Sequence, residues 1–132
     1  MKFKNKALRI ACDGGAASGK SLASKLVGQK YGLYVLNSGI FYRYASFLII
    51  KHKPKKITSF LKKKFKNINS KNIFKLDLHT QEISEHVVNL AKQKKVRNII
   101  RTLQKKLIKK YPRIVVEGRD TASSIMHKNP RY

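Results

Sequence analysis

Short apolar stretches alternate with amphipathic ones along the first half of the chain. Residues 9–13 predict a buried strand, and the small, glycine-rich residues 14–18 predict a turn after it. Between residues 19 and 30 the apolar positions then recur at helical spacing, at Leu22, Ala23, Leu26 and Val27. Residues 34–36 predict a second strand, and residues 39–50 predict a second helix. This alternation predicts an α/β fold with a parallel sheet flanked by helices.

The second half of the chain begins with a basic segment and leads to a third strand. Residues 51–81 are rich in Lys and Asn and are broken by Pro54, which predicts a small basic insertion or subdomain. Residues 83–110 carry the longest helical pattern, which Pro112 stops. Residues 114–116 predict a buried strand whose carboxyl end leads into charged residues, and ligands bind at that end of open α/β sheets.

Length and charge narrow the class of protein. The 132 residues fit one domain, and no run approaches the eighteen apolar residues of a membrane span. The basic start of the chain is not followed by an uninterrupted apolar run, so we expect a cytoplasmic protein without a secretory signal. A formal net charge of +25 attracts polyanions, which makes non-specific nucleic-acid binding one expectation. Most of this charge is lysine in short runs, a pattern typical of solvated faces.

A phosphate-binding motif fills the turn between the first strand and the first helix. Residues 14–21 match GxxxxGK[ST] at every specified position; they are Gly14, Gly15, Ala16, Ala17, Ser18, Gly19, Lys20 and Ser21. Small residues let successive backbone N–H groups surround a phosphate, and the start of the helix adds its positive dipole end. Lys20 can then reach the β and γ oxygens, while Ser21 can hold Mg²⁺. The motif predicts a nucleoside triphosphate site, but alone it does not separate GTPases, ATPase motors and small-molecule kinases.

Further stretches of the sequence distinguish among these classes of nucleotide-binding protein. Asp13 leads into the loop, residues 36–43 follow the second strand, Arg97 follows Val96 in the long helical pattern, and residues 118–120 follow the third strand. In this order they resemble the cytidylate kinase family over nearly the whole chain. The resemblance implies a P-loop NTPase-type nucleoside monophosphate kinase fold, with residues 1–132 as a single domain that is a monomer if complete. It also implies transfer of a phosphoryl group from ATP, with Mg²⁺, to CMP or dCMP.

The resemblance assigns roles to individual residues. It implies three catalytic cations: Lys20, Arg43 and Arg119. It implies five substrate-binding residues: Ser38, Arg43, Arg97, Arg119 and Asp120. By the same resemblance, Ser38 and the two arginines at 43 and 119 hold the acceptor phosphate, while Arg97 and Asp120 face its base. An acidic acceptor paired with a guanidinium donor matches the edge of cytosine, where uracil would misalign.

The chain departs from the family pattern in its middle and at its end. Asn37 stands where the family often has an acidic residue, and Val88 stands where it has a small hydroxyl residue, which implies altered contacts near the acceptor. Family members continue beyond the position of Tyr132 into another strand and a lid with more arginines. The resemblance is therefore to a C-terminally truncated kinase fold, and we expect weak transfer or hydrolysis. We also expect an uncovered sheet edge beside residues 114–116.

Two other interpretations stay open from the sequence. One is a different phosphate-loop kinase of similar size, such as an adenylate- or shikimate-type enzyme, although Arg97 with Asp120 favours a cytosine base. The other is a basic nucleic-acid-binding protein with a degenerate phosphate loop. Counterion release would make nucleic-acid binding fall steeply with salt, whereas saturable, Mg²⁺-dependent ATP binding would mark a kinase.

Overall fold

The computed structural model of the chain describes residues 7–13, 20–66, 68, 72–73 and 75–118. Their strands are β1 (Leu8–Asp13), β2 (Tyr34–Asn37) and β3 (Arg113–Gly118). Their helices are α1 (Lys20–Tyr31), α2 (Ser38–His52), α3 (Ile57–Lys66), α4 (Gln81–Leu90) and α5 (Lys94–Lys110). The chain divides into two units: Met1–Ser38 with Gln104–Tyr132, and Gly39–Leu103. The basic segment 51–81 lies inside the second unit, and its role as a subdomain stays a prediction.

The first unit contains a parallel three-stranded sheet in the order β1-β3-β2. Both outer strands pair with β3 in parallel, as the α/β pattern predicted. The expectation of an uncovered edge beside residues 114–116 was wrong, because β3 is the central strand and has a neighbour on each side. Its three branched apolar side chains, at 114, 115 and 116, are all fully buried. A strand of this kind, buried on both faces, is typical of parallel sheets.

The buried side of α1 is made of small residues. Ser24 and Gly28, one helical turn apart, are buried, whereas Leu22 and Leu26 are 64% and 55% exposed. Leu22 and Leu26, two of the apolar positions whose spacing predicted this helix, therefore do not form its buried side. A β-carbon at Gly28 would lie 2.5 Å from Val35 Cγ2, so the helix lies against β2 more closely than any larger side chain permits.

A glycine also ends α1 and returns the chain to the sheet. Gly32 has a φ of +63°, the left-handed conformation that follows many helices. The Leu33 N–H then donates to the Gly28 carbonyl at 2.9 Å, which satisfies one of the last carbonyls of the helix. The next residue, Tyr34, stacks on Tyr111 with ring centroids 4.2 Å apart. These contacts fix where β2 begins.

The regular secondary structure in the described part of the second unit is all helical. Thr80 caps α4, because its side chain accepts a hydrogen bond from the Ile83 N–H at 3.3 Å. The long pattern over residues 83–110 forms two helices, α4 and α5, separated at residues 91–93. Leu90 and Val96, both 1% exposed, lie six positions apart, a spacing that would put them on different faces of one continuous helix. The break lets both side chains reach the core.

No helix in the described part of the chain is long and apolar enough to cross a membrane.

Candidate nucleotide-binding site

The carboxyl ends of the three strands lie at one edge of the sheet. Asp13 at the end of β1 pairs with Gly118 at the end of β3, and Asn37 at the end of β2 pairs with Glu117. Because the strands are parallel, the segments that follow them begin at the same edge. These segments are the phosphate-loop motif, the start of α2, and the charged pair after β3. The structure thus places the ends of the three strands, from which the predicted site segments continue, at one edge of the sheet.

The flanks of the phosphate-loop motif match the context that phosphate binding requires. Strand β1 ends at Asp13 and α1 begins at Lys20, so the motif joins a strand to the start of a helix. Residues 14–19 lie outside the described residues, as do the side chains of Lys20 and Ser21. The charged pair Arg119 and Asp120 also lies outside them. Their roles therefore stay predictions.

Ser38, the first residue of α2, is held by a buried glutamine. The Gln104 amide donates a hydrogen bond to the Ser38 hydroxyl oxygen, and the two side chains are only 2% and 8% exposed. A hydroxyl that accepts one hydrogen bond still has its own hydrogen to donate to a ligand. Sequence reasoning missed Gln104, although its position four residues from both Ile100 and Ile108 marks it as a polar residue on an apolar helix face.

Arg43, on α2, is anchored by two acceptors. Its Nη1 donates to the Leu78 carbonyl and to the Ser84 hydroxyl, each at 3.0 Å. These bonds use both hydrogens of that nitrogen, and the Nε and Nη2 hydrogens lie outside them. Ser84 lies in the first half of α4, behind the Thr80 cap. No sequence signal pointed to it, because a serine on a helix is usually an ordinary surface residue.

Arg97, on α5, has a buried nitrogen in need of a partner. Its Nε is buried and has no hydrogen-bond partner in the described part of the chain. Buried N–H groups are almost always hydrogen-bonded, so this atom is suited to a ligand acceptor. The neighbouring phenol belongs to Tyr42, the residue before Arg43. Burial raises the pKa of Tyr42, and the charges of Arg101 and Arg97 partly oppose that rise, so the phenol is neutral at pH 7.

Arg101 was not singled out from the sequence. It follows Arg97 by four residues on α5, which places both guanidinium groups on one side of that helix. The spacing was a usable signal, because a second arginine at that distance adds positive charge next to a predicted ligand-binding arginine.

Comparison with known proteins decides the family. The model of the family described as cytidylate kinase matches residues 10–130. The chain belongs to the cytidylate kinase family. The relatives named cytidylate kinase include those from Aquifex aeolicus (strain VF5), Clostridioides difficile (strain 630) and Phytoplasma mali (strain AT), each 30% identical to this chain. The matches cover 93%, 89% and 92% of the chain, and 60%, 59% and 59% of the respective relatives.

The comparison also shows how much of its relatives the chain covers and which kinase family it favours. The chain spans about 60% of the length of these relatives. The family match favours this family over the adenylate- or shikimate-type alternative, because it covers residues 10–130. The two departures noted in the sequence, Asn37 and Val88, are both exposed; Val88 is 56% exposed on α4.

Proposed function

We propose that this chain transfers the γ-phosphoryl group of ATP to CMP or dCMP, giving CDP or dCDP. The observation that supports this most is the register of the sheet, in which Asp13 pairs with Gly118 and Asn37 with Glu117. A phosphate-loop motif and the residues predicted to hold the acceptor follow these paired ends. Membership of the cytidylate kinase family supports the choice of substrates.

The donor side of the proposed site is the loop after β1. Backbone N–H groups of residues 14–19 would hold the triphosphate, Lys20 would contact its β and γ oxygens, and Ser21 would hold Mg²⁺. When bound, Mg²⁺ neutralises charge on the phosphate oxygens. The end of β1 at Asp13 and the start of α1 at Lys20 fit a bound triphosphate with its Mg²⁺, since a phosphate loop lies between a strand and a helix.

The acceptor side would use residues from α2, α5 and the segment after β3. Ser38, with its oxygen engaged by Gln104, would donate its hydroxyl hydrogen to the acceptor phosphate. Arg43 and Arg119 would neutralise the charge of that phosphate, which is most of what phosphoryl transfer asks of a protein. Arg43 would do so with the nitrogens that Leu78 and Ser84 leave unused.

The base of the acceptor would be read by Arg97 and Asp120. The buried Arg97 Nε supplies a donor for an acceptor atom such as cytosine N3 or O2. A carboxylate at Asp120 would accept from the exocyclic N4 amino group. Uracil carries N3–H in place of the N3 acceptor and O4 in place of the amino group, so it would leave the carboxylate, and a donor aimed at N3, unmatched.

The donor site is tested by calorimetric titration of MgATP into the parent chain and two variants. Lys20→Ala should weaken binding by about 10-fold or more, because it removes a charged hydrogen bond of about 1.5–3 kcal/mol. Lys25→Ala is the matched control, since Lys25 is an exposed lysine of the same helix. Equal ATP affinity of the Lys20 variant and the parent would remove the loop as the donor site.

Base selection is tested by comparing CMP with UMP in the same titration. The parent should bind CMP more tightly, and Asp120→Asn should bring the two affinities together. Asp77→Asn, at an exposed aspartate, controls for the loss of one negative charge. Equal affinity of the parent for CMP and UMP would contradict the assignment of Arg97 and Asp120 to the base.

A further inference from the structure

A dense basic surface lies on the second unit, at the end of α2 and along α3. Within residues 51–66 there are eight lysines and no acidic residue, and the sequence has no acidic residue between positions 38 and 76. All eight lysines are exposed. They are Lys51, Lys53, Lys55, Lys56, Lys62, Lys63, Lys64 and Lys66, and we call them the α2–α3 basic surface. No neighbouring carboxylate in this stretch offsets their charge.

The local fold explains why these lysines face outwards. Leu61 and Phe65, one turn apart on α3, are 0% and 5% exposed, so the lysines occupy the remaining faces of the helix. Lys53 has a φ of +45° and its N–H donates to the Ile49 carbonyl at 2.8 Å, which ends α2. Lysines therefore lie on both sides of this turn.

Aromatic rings lie among the lysines. The His52 and Phe60 rings have centroids 5.5 Å apart. Lys64 Nζ lies 5.7 Å from the centre of the Phe60 ring, and Lys51 Nζ lies 5.7 Å from that of Phe47. His52 is exposed, and both phenylalanines are half-buried. Partly exposed rings interleaved with cations are what single-stranded nucleic acid binds, since bases stack on the rings while phosphates meet the cations.

Lysines also lie near two tyrosine rings of the first unit, and a membrane surface fits the α2–α3 basic surface poorly. Lys30 Nζ lies 5.5 Å from the centre of the exposed Tyr31 ring, but α1 carries three lysines against the eight of residues 51–66. Tyr111 also lies near a lysine, Lys110, but its ring is stacked on Tyr34 at 4.2 Å and an interplanar angle of 2°. A helix that lies in a membrane interface needs a free apolar face. Of the four apolar side chains of α3, Leu61 and Phe65 are buried in the protein, and Ile57 and Phe60 are half-buried.

We propose that the α2–α3 basic surface binds single-stranded nucleic acid without sequence preference. The surface shares no residue with the proposed nucleotide site, and the proposal does not depend on that site. Binding would rest on lysine contacts to successive phosphates, and on base stacking at His52 and Phe60.

Two variants of equal charge separate a local site from the effect of overall charge. The first is K62Q/K63Q/K64Q/K66Q on α3, and the second is K105Q/K106Q/K109Q/K110Q on α5. Each removes four exposed lysines and lowers the formal net charge by four, from +25 to +21. Each set also includes one lysine that lies near an aromatic ring. The probes are fluorescent 12-mers of oligo(U) and oligo(dT), followed by anisotropy over a series of salt concentrations.

The α3 variant should lose on the order of 10-fold or more in affinity at 0.1 M salt. Its salt slope should fall by about 3, because each single-strand phosphate contact contributes roughly 0.7. The α5 variant should keep most of the affinity and most of the salt slope of the parent. Phe60→Leu, which keeps the charge and removes the ring, should weaken binding by about fivefold or more. A 12-base-pair duplex should bind more weakly than the single strands.

Equal losses in the two quadruple variants would overturn the proposal, because net charge alone would then explain binding. Phosphatidylserine vesicles that bind the parent more tightly than the oligonucleotides would also overturn it. Circular dichroism and a thermal melt of each variant check the fold, and we expect no change because every substituted lysine is exposed. Unaltered binding by both the α3 variant and Phe60→Leu would likewise contradict it.

Discussion

Replacing Ser84 by alanine is expected to weaken binding of the acceptor nucleotide, although Ser84 itself has no proposed contact with the nucleotide. In the structure the Arg43 Nη1 donates to two acceptors, the Ser84 hydroxyl and the Leu78 carbonyl, each at 3.0 Å. The alanine variant keeps the second acceptor and loses the first. The guanidinium would then be free to rotate about its remaining bond, away from the orientation that we propose for the acceptor phosphate.

The size of the effect follows from the contact that is lost. A hydrogen bond to a charged group contributes about 1.5–3 kcal/mol, which sets the upper limit. Ser84 is only half-buried and the Leu78 carbonyl stays in place, so water can replace part of the interaction. We therefore expect a loss of about 1 kcal/mol, which corresponds to about a fivefold increase in the Kd for CMP. Affinity for MgATP should not change, because Arg43 belongs to the acceptor side.

Calorimetric titration of CMP and of MgATP gives both values from one set of proteins. Ser84→Thr keeps the hydroxyl and should restore CMP binding, while Ser59→Ala removes an exposed helix serine on α3 and should have no effect. Arg43→Lys keeps the charge but loses the planar fork, so it should bind CMP more weakly than Ser84→Ala. The reasoning fails if Ser84→Ala binds CMP as the parent does, or if CMP and MgATP weaken together.

Four further substitutions are predicted to change stability. Gly28→Ala should lower the free energy of unfolding by about 1–3 kcal/mol, because its β-carbon would lie 2.5 Å from Val35 Cγ2. Gly32→Ala should lower it by about 1–2 kcal/mol, because alanine is strained at a φ of +63°. Urea unfolding that gives Gly28→Ala the stability of the parent would contradict the close approach of helix and sheet. Gln104→Leu should cost about 1–3 kcal/mol, because it leaves a buried hydroxyl without its donor, and an unchanged thermal midpoint would show that the hydrogen bond contributes nothing. Burial raises the pKa of Tyr42 above 10, so the contribution of the neutral phenol to stability is complete below pH 10 and is lost as pH rises through the raised pKa. Tyr42→Phe should therefore lose less stability than the parent between pH 8 and pH 11, as measured by urea unfolding at each pH. An identical loss of stability in both proteins would contradict this prediction.

The local pattern of the chain predicted the elements that flank the phosphate-loop motif. The strand before the loop and the helix after it follow from apolar residues at strand and helical spacing, and β1 and α1 lie within a residue or two of where those patterns put them. Strand order could not be predicted in this way. The pairing of β3 with β1 and β2 joins residues about 80 to 105 positions apart in the sequence. A local pattern of apolar residues does not predict pairing over such a separation.

Some side chains of the site escaped prediction because their roles depend on contacts across the fold. Ser84 reaches Arg43 from another helix, and its sequence neighbourhood gives no hint of this. The inward face of α1 escaped for a related reason. Hydrophobic spacing favours Leu22 and Leu26, but close contact with the sheet selects Ser24 and Gly28, whose small size permits it.

The central claim is that the chain transfers phosphate from ATP to a cytosine nucleotide. Incubation of the purified chain with γ-labelled ATP, Mg²⁺ and unlabelled CMP, followed by separation of the products, measures that transfer directly. The account predicts labelled CDP, with much less labelled UDP when UMP replaces CMP, and loss of the labelled product in Lys20→Ala. Release of all the label as inorganic phosphate, or labelled CDP at the same rate in parent and Lys20→Ala, would contradict the claim.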